Sequence, residues 1–520
     1  MATSDRWSAY TDLTPQVAAG WRLETITPPS RLGGANGMTL GPDGRLYVTQ
    51  VFGSQITAID TDTGAHEVFS PLGSGIAGPD DAFFGADGTL YATEPMFGRV
   101  TARAADGTYR VVRDELPAAN GVTMDSARRR LFIDEFRPGG RLLEVDPVGG
   151  AEPRVLLEDL DGPNAPAMGP DGKLYFPQVF ADQIWSYDLD SGESRLVVAD
   201  LPRPTAVKFD SRGRLVTSVA GAGLILAIDL ETGSQEVLAE VPLGIDNVSV
   251  AAGDRIFVSH FTDGRVAEET AGRQRVLSPS GLLGPHGLAV GPDGSVLFAD
   301  GLSVGAVIDG NAARHHRLLV DLPTLAIGVA RFDGDVVVLG ATGELLRYSD
   351  DDGQPTVLAG GLLGATAVLA DGDRLLVADR ARGRITAVTA DGSTTTVLDG
   401  LASPASVARA GDGYAMGAGP VVLVVDGSGN ETRIDGFGDA QGVAGIGAQV
   451  LVADAARHEL VILDPATGRR DVVVTGVPVG PAVAGATVPA AFAAVAPDGA
   501  GGYIVGCNGD GSIRRLTAAG

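Results

Sequence analysis

The sequence predicts an all-β protein, and three observations support this fold class. The phrase apolar-G-P-D-G-x-L-Y-V recurs, for example as LGPDGRLYVT from Leu40, MGPDGKLYFP from Met168 and VGPDGSVLFA from Val290. Counting weaker copies gives twelve units about 40 residues apart, the length of a four-stranded propeller blade. The 74 glycines, 30 prolines and 5% aromatic residues suit short strands joined by tight turns. Because twelve blades around one axis would leave a very wide hole, we predict two tandem six-bladed β-propellers.

Each unit is expected to contain four strands in a fixed order. An inner strand leads through a D-G turn into a second strand with alternating apolar residues, such as LYVTQ. A loop then connects to a third strand, such as QITAID, and to an outer strand, such as HEVFS. No helical period interrupts this order.

The division between the two propellers depends on which strand closes each ring. An unmatched strand, RLETIT at 22–27, precedes the first unit, and the chain stops after the third strand of the last unit, SIRRLT. If each ring lends its first strand to its last blade, 22–27 completes the sixth blade and RQRVL, from Arg273, completes the twelfth. This predicts an N-terminal extension at 1–21, a first propeller at 22–271 and a second at 272–520. In the competing arrangement, the N-terminal strand closes the distal ring; either closure removes exposed sheet edges.

Composition and charge exclude several kinds of partner. No run of eighteen apolar residues is present, and the N-terminus MATSDRWSAYTDLTPQ lacks the features of a secretion signal, so we expect a cytoplasmic protein. A net charge of −26 without a basic cluster argues against binding to nucleic acid or to an anionic membrane. The single cysteine, Cys507, can form neither an internal disulfide nor a cysteine zinc site, and we expect it to be a buried small residue.

The strongest functional signal is a set of polar residues, one at the start of each inner strand of the first ring, which we call the polar circle. Such positions converge at one end of a propeller channel, which we call the mouth. The polar circle consists of Asn36, Asp80, Asn120, Asn164, Thr205 and Asp246. The corresponding residues of the second ring are His286, Ala326, Ala365, Ala405, Gln441 and Ala491. Converging carboxylate and amide oxygens are ligands for Ca²⁺, Mg²⁺ or Mn²⁺ and also suit Zn²⁺, although Asn and Asp also cap turns at such positions.

A second polar set, which we call the strand-end set, lies where the second strands of the first ring end. Its members are Gln50, Glu94, Glu135, Gln178 and His260. They could line the same mouth, or they could be exposed loop starts. The equivalent segments of the second ring carry Asp300, Asp379 and Asp454, which we interpret as structural loop anchors. His286 borders a channel otherwise lined with alanine and is interpreted as a core polar group.

The units GANGMTLGPDGRLYVTQ and AANGVTMDSARRRLFIDEF resemble the repeats of the gluconolactonase/regucalcin family and, more loosely, NHL-repeat propellers. The resemblance implies a six-bladed propeller with a divalent cation at the channel mouth and activity on lactones. Asn120 and Asn164 match the asparagine ligands of that family. Asn36 and Thr205 replace a glutamate and an aspartate of the family pattern, and Asp80 and Asp246 could supply that charge from neighbouring blades.

These observations lead to a functional hypothesis with two rivals. A divalent cation, Ca²⁺ foremost, would be held by Asp80, Asn120, Asn164 and Asp246 and would assist hydrolysis of a lactone or related ester. Asp246 or Glu135 would act as the base and His260 as the acid, while Asn36, Gln50, Glu94, Gln178 and Thr205 would contact the small-molecule substrate. The rivals are a lyase, isomerase or cyclase that abstracts a proton next to a carbonyl, and a non-catalytic binding propeller. The second ring is expected to be a scaffold, a lid or a homodimer surface.

Overall fold

The computed structural model describes residues 6–10, 13–270, 272–349, 353–480 and 492–519. These residues form ten four-stranded sheets and one seven-stranded sheet, and every pair of neighbouring strands is antiparallel. Within these ranges the helical segments are two single-turn 3₁₀ helices, Val179–Ala181 and Arg380–Arg382. None of the described helices has the length and apolar character needed to cross a membrane. The predicted all-β tandem propeller is confirmed.

The first compact unit contains Arg31–Ser280, and its six sheets are blades 1 to 6. Their strands, blade by blade, are Met38–Leu40, Leu46–Gln50, Gln55–Ile59 and His66–Ser70; Ala82–Phe84, Leu90–Glu94, Arg99–Arg103 and Tyr109–Arg113; Ala119–Asp125, Arg130–Glu135, Pro138–Val145 and Arg154–Asp161; Ala167–Met168, Leu174–Gln178, Gln183–Tyr187 and Ser194–Val198; Pro204–Phe209, Leu215–Val219, Leu224–Ile228 and Gln235–Glu240; Ile245–Ala251, Arg255–His260, Val266–Thr270 and Arg273–Ser278.

The second compact unit contains Ser8–Ser30 and most of the chain from Gly281 onward, and it holds blades 7 to 12. Their strands are Gly287–Val290, Val296–Ala299, Ser303–Ile308 and Asn311–Arg317; Ala326–Phe332, Asp335–Gly340, Leu345–Tyr348 and Thr356–Ala359; Ala365–Asp371, Arg374–Asp379, Arg384–Thr389 and Thr394–Leu398; Ser406–Ala410, Gly413–Val425, Glu431–Ile446, Gln449–Asp454, Glu459–Asp464, Arg469–Thr475 and Gln16–Val17; Val495–Pro497, Tyr503–Cys507, Ser512–Ala518 and Trp21–Thr27. The seven-stranded sheet joins blades 10 and 11, because Gly413–Val425 and Glu431–Ile446 each extend through two strand positions.

The preferred closure of the rings is wrong, and the competing arrangement is the one observed. Arg273–Ser278 pairs with Val266–Thr270 and completes blade 6 through a two-residue connection. Trp21–Thr27 instead pairs with Ser512–Ala518 in blade 12, where the Ile513 N–H donates to Thr27 Oγ1 at 2.8 Å. A local hairpin needs little loop closure, so blade 6 is completed by the strand that follows it in sequence. The boundary therefore lies near Ser280 rather than Gly272.

The predicted N-terminal extension is also partly structured. Gln16–Val17 pairs with Arg469–Thr475 at the outer edge of blade 11. The side chain of Trp7 belongs to the first unit, where it is 3% exposed and donates from Nε1 to the Gly53 carbonyl at 3.2 Å.

Each ring is held by apolar side chains packed between neighbouring blades, with the inner strands in contact around a closed circle. In the first ring, for example, Val48 of blade 1 and Phe257 of blade 6 share one buried cluster. Gly44 of the first D-G turn has φ +79°, a conformation that favours glycine and explains the recurrence of this turn. Cys507 is buried as expected, and burial raises its pKa to about 12.

Candidate functional site at the mouth of the first propeller

Hydroxyl groups position the polar circle by bonding from one blade to the next. Thr49 and Thr93, near the ends of second strands, donate to the backbone carbonyls of Asp80 and Asn120 in the following blades. The Ser218 hydroxyl donates to the Asp246 carbonyl at 3.0 Å. Ser259 closes the ring by donating to the Asn36 carbonyl at 2.6 Å. Four of the six residues of the polar circle are thus held through their backbone carbonyls, whereas the Thr205 hydroxyl is engaged by Ser218 Oγ at 2.9 Å.

Five members of the polar circle are buried, with exposures of 2% to 9%, and Asp246 is half-buried. The Asn36 side chain joins two of the others. Its Oδ1 accepts from the Val51 N–H at 3.1 Å, which directs the amide nitrogen toward the carboxyl groups of Asp80 and Asp246. Because these residues start blades 1, 2 and 6, the two carboxyl groups flank Asn36 across three consecutive blades.

The carboxyl groups of Asp80 and Asp246 repel each other, and burial disfavours their charged forms. Burial, followed by the charges of Asp246 and Asp81, raises the pKa of Asp80 well above its usual value. Burial, aided by the charge of Asp81, raises the pKa of Asp246 to about 7. The hydrogen bond from Asn36 opposes both shifts. This is the electrostatic setting in which carboxyl groups either hold a proton or bind a cation.

Asp81, which is buried, and Lys208, which is half-buried, form a charge pair that the sequence analysis missed. The Asp81 carboxylate accepts from the backbone N–H groups of Ala82 at 2.9 Å and of Val122 at 3.3 Å. Lys208, on the inner strand of blade 5, interacts electrostatically with Asp81. Burial lowers the pKa of Lys208, while Asp81 opposes that shift. A lysine near the end of the mainly apolar inner strand PTAVKF is the sequence signal that could have revealed this pair.

Asp134 is a second functional candidate that the sequence analysis missed. It occupies the strand position that Thr49 and Thr93 hold in blades 1 and 2, and its Oδ1 accepts from the Gly121 N–H at 2.9 Å. Its Oδ2 is buried without a hydrogen-bond partner among the described residues. Burial raises the pKa of Asp134 well above its usual value. A side chain at Gly121 would collide with Oδ2, which accounts for the N-G pair in this blade.

The strand-end set is buried and anchors loops, so neither the interpretation as a substrate-contacting set nor that as exposed loop starts fits the structure. Gln50 Oε1 accepts from the Gly33 N–H at 2.7 Å, and Gln178 Oε1 accepts from the Asp161 N–H at 2.8 Å. Glu94 accepts from the Ala77 N–H at 3.0 Å and pairs with Arg99 at 2.6 Å.

Glu135 and His260 do not have the geometry of a base and an acid at the mouth. Glu135 is fully buried and ion-paired with Arg137, at 2.8 Å, and with Arg141. The His260 side chain is 0% exposed within blade 6. The physical reason is the period of two along a strand. Asp134 bonds to Gly121 of the inner strand of its own blade and Ser259 bonds to the Asn36 carbonyl of the next one, so the residue that follows each of them faces the other way.

The equivalent aspartates of the second ring anchor loops as predicted. Asp300 accepts from Ser303 Oγ at 2.7 Å, Asp379 pairs with Arg384 at 3.1 Å, and Asp454 accepts from the Gly438 N–H at 2.7 Å.

Phenylalanines recur in the loops at the mouth of the first propeller, and we call them the aromatic set. Five of the six loops that follow the second strands carry a phenylalanine: Phe52, Phe97, Phe136, Phe180 and Phe261. The hydrogen bond between Val51 and Asn36 places these loops at the same end as the polar circle. The rings of Phe136 and Phe180 lie 5.1 Å apart, and Phe97 is 47% exposed beside Met96, which is 61% exposed. The corresponding loops of blades 7 to 12, all of them described, contain no phenylalanine.

The polar circle offers oxygen donors only, which suits Ca²⁺ or Mg²⁺ better than Zn²⁺, whose sites in proteins favour histidine and cysteine. Among the described residues, no three Asp, Glu, His or Cys side chains are grouped so that they could hold a metal ion. A cation at the mouth would therefore need amide oxygens beside the carboxylates of Asp80 and Asp246. The residues present fit such an ion, because its charge would relieve the repulsion between these two carboxylates.

Comparison with known proteins gives distant structural likenesses. No protein-family profile matches the chain, and no curated protein matches it by sequence. The chain is similar to the virginiamycin B lyase of Staphylococcus aureus, with 17% identity over 54% of this chain and 96% of that one, and a TM-score of 0.39. For a gluconolactonase of Xanthomonas campestris, the identity is 17% over 50% of this chain and 96% of that one, and the TM-score is 0.39. At such values the likenesses assign no activity, and membership of the gluconolactonase/regucalcin family stays a prediction.

Proposed function

We propose that the first propeller is a metal-assisted hydrolase of lactones or related esters, with its active site at the mouth. The observation that carries this proposal is the carboxyl pair of Asp80 and Asp246, bridged by Asn36, in a circle that also contains Asn120 and Asn164. Asp80, Asp246, Asn120 and Asn164 would hold a divalent cation, Ca²⁺ or Mg²⁺ foremost. When bound, the cation would supply Lewis-acid activation of the substrate carbonyl and of an attacking water.

The side chains at the mouth would supply the base, hold the carboxyl groups and contact the substrate. Asp246 accepts the proton of the attacking water, because it is the member of the polar circle that keeps partial exposure. Asn36 holds the two carboxyl groups in place from blade 1. Phe136 and Phe180 form an aromatic pair close to the polar circle, since the Phe136 N–H donates to the carbonyl of Ala118, two residues before Asn120, at 2.9 Å. The substrate is therefore a lactone or ester with an apolar or aromatic portion.

A second candidate is proton abstraction next to a carbonyl, as in a lyase, isomerase or cyclase. The half-buried Lys208 favours it, because an ammonium group in the channel would stabilise the enolate that forms. Asp246 would again be the base. Incorporation of deuterium from solvent into a ketone or lactone substrate, without ring opening, would identify this reaction rather than hydrolysis.

The experiment that tests the proposal is ring opening of lactones followed by pH-stat titration. Chelator-treated protein, reloaded with Ca²⁺, Mg²⁺ or Mn²⁺, is assayed with dihydrocoumarin and with glucono-δ-lactone. We expect cation-dependent hydrolysis that favours dihydrocoumarin and falls at least about 100-fold in Asp80→Asn and Asp246→Asn. The matched control is Asp373→Asn, an exposed turn residue of blade 9, which should keep full activity. Absence of hydrolysis by every loaded form, or equal rates in Asp80→Asn, would refute the proposal.

A further inference from the structure

The second propeller contains its own cavity, separate from the polar circle. A cavity of about 340 Å³ is lined by the inner strands of all six of its blades. A further cavity of about 460 Å³ adjoins it and shares His286, Ile327, Thr366 and Phe492 with it. Volumes of this size are typical of sites for small organic ligands. The channel of the second propeller therefore has room for a small molecule.

The walls of this cavity are apolar in character. Their polar side chains are largely engaged by the wall itself: Thr366 Oγ1 donates to the Ala405 carbonyl at 2.8 Å, and Ser406 Oγ donates to the Gln441 carbonyl at 2.5 Å. Gln441 accepts from the Ala493 N–H at 3.0 Å and donates to Asp439 at 2.9 Å. The arginines at the edges of the two cavities also have partners: Arg331 donates to the Gly334 carbonyl at 3.0 Å, Arg380 donates to the Ser403 carbonyl at 3.1 Å, and Arg409 pairs with Asp371. Most of the remaining wall consists of alanine and valine side chains. Burying an ionic group against such walls would be costly.

His286 is the exception, because it lines both cavities with a hydrogen-bonding capacity that the wall does not use. Its Nδ1 is buried without a hydrogen-bond partner among the described residues. Burial lowers the pKa of His286 to about 4, so the imidazole is neutral at pH 7. Because a buried N–H without an acceptor is strongly disfavoured, the single proton of the neutral ring belongs on Nε2, where it can be donated.

We infer that the channel of the second propeller binds a neutral, mainly apolar small molecule whose oxygen accepts a hydrogen bond from His286. Phe492 contributes an aromatic surface at the end of the channel where Arg380 lies over its ring at 5.2 Å. The channel of the first propeller thus contains charged groups at its mouth, whereas that of the second is mainly apolar. This inference does not depend on the activity proposed for the first propeller.

The test uses the full chain and the dye 6-propionyl-2-dimethylaminonaphthalene, which is neutral, carries one carbonyl and emits at shorter wavelength in apolar surroundings. We expect saturable binding of one dye per chain with blue-shifted emission. Ile327→Trp should abolish this binding by filling the channel. His286→Phe should weaken it about tenfold, since one hydrogen bond is lost at similar volume. The matched control, Ile308→Trp, alters an isoleucine that is 54% exposed on blade 7 and should bind as the wild type does.

A second channel-filling variant and a pair of competing ligands complete the test. Thr366→Phe is a second channel-filling variant, placed on blade 9 instead of blade 8. If circular dichroism shows that Ile327→Trp is misfolded, Thr366→Phe takes its place in the test. Competition by 2-acetylnaphthalene should be at least tenfold stronger than competition by the anion 2-naphthoate. Absence of saturable dye binding, or unchanged binding in a folded channel-filling variant, would overturn the site. Equal competition by the anion would overturn the ligand class.

Discussion

At the scale of single residues, the mouth of the first propeller depends on side chains that bond between blades. Thr93 illustrates this, because its hydroxyl donates to the Asn120 carbonyl while accepting from the Asp81 N–H at 3.0 Å. One hydroxyl therefore positions both a polar-circle residue and the acid that interacts with Lys208.

Replacing this hydroxyl should be costly. We predict that Thr93→Val lowers the free energy of unfolding by about 2 kcal/mol, because a buried N–H and a buried carbonyl both lose their partner. The control Thr395→Val, at an exposed position on the outer strand of blade 9, should change it by less than about 0.5 kcal/mol. Urea unfolding measures both, and equal effects of the two substitutions would contradict the assigned role.

His286 gives a pH-dependent prediction. Its folded-state pKa of about 4 lies below the unfolded value of about 6.5, so its contribution to stability is full above pH 6.5 and is lost as the pH falls toward 4. Between pH 7.5 and pH 5, the wild type should lose about 2 kcal/mol more than His286→Phe does. Urea titrations of both proteins at the two pH values check this. A difference of the opposite sign would show that the buried ring is charged.

The residues of the site were only partly predictable. The repeat register located the polar circle, because each copy of the D-G turn fixes the start of its inner strand. The sequence analysis did not identify Asp81, Asp134 and Lys208. The alignment of the repeats compares one position in each blade, and it does not show which neighbouring side chains also enter the channel. Glu135 and His260 were misassigned because their orientation depends on strand alternation and on local arginines that only the folded chain brings together.

At the scale of elements, closure distinguishes the two rings. The first ring is completed by a strand that follows in sequence, Arg273–Ser278, whereas the second is completed by Trp21–Thr27 from near the N-terminus. The repeat pattern predicted that one strand must come from outside its blade. The pattern did not show which ring each strand closes, because the two candidate strands have similar lengths, seven and six residues. The local hairpin decides, since it needs little loop closure.

Proline in the closing strand should affect the second ring alone. Glu24 pairs with Arg515, so Glu24→Pro removes a backbone donor within the strand and should destabilise this pairing by about 2 kcal/mol. Hydrogen exchange should then increase in Ser512–Ala518 and stay unchanged in Arg273–Ser278. Glu24→Thr, which suits a strand, is the control. Faster exchange in Arg273–Ser278 instead would contradict the observed closure.

At the scale of the whole molecule, one repeat has produced two channels with different chemistry. The first contains Asp80, Asp81, Lys208 and Asp246, whereas the second is lined mainly by alanine, valine and isoleucine. The blade framework is shared, because it depends on the D-G turn and on packing between blades. Function depends on the few positions per blade that face the channel.

Because blades 1 to 6 are formed entirely within Arg31–Ser280, this segment should fold by itself. We predict a cooperative thermal transition and β-sheet circular dichroism for a fragment of residues 31–280. Its stability should be somewhat reduced, because Trp7 no longer packs beside Gly53. An unfolded fragment would show that the first ring depends on the second.

The central claim is that the polar circle of the first propeller binds a divalent cation, and elemental mass spectrometry after reconstitution and desalting tests it most directly. We predict about one Ca²⁺ or Mg²⁺ ion per chain in the wild type and in the control Asp373→Asn, with the ion lost in Asp80→Asn and in Asp246→Asn. Absence of a bound ion in the reconstituted wild type, or its retention in both polar-circle variants, would contradict the account.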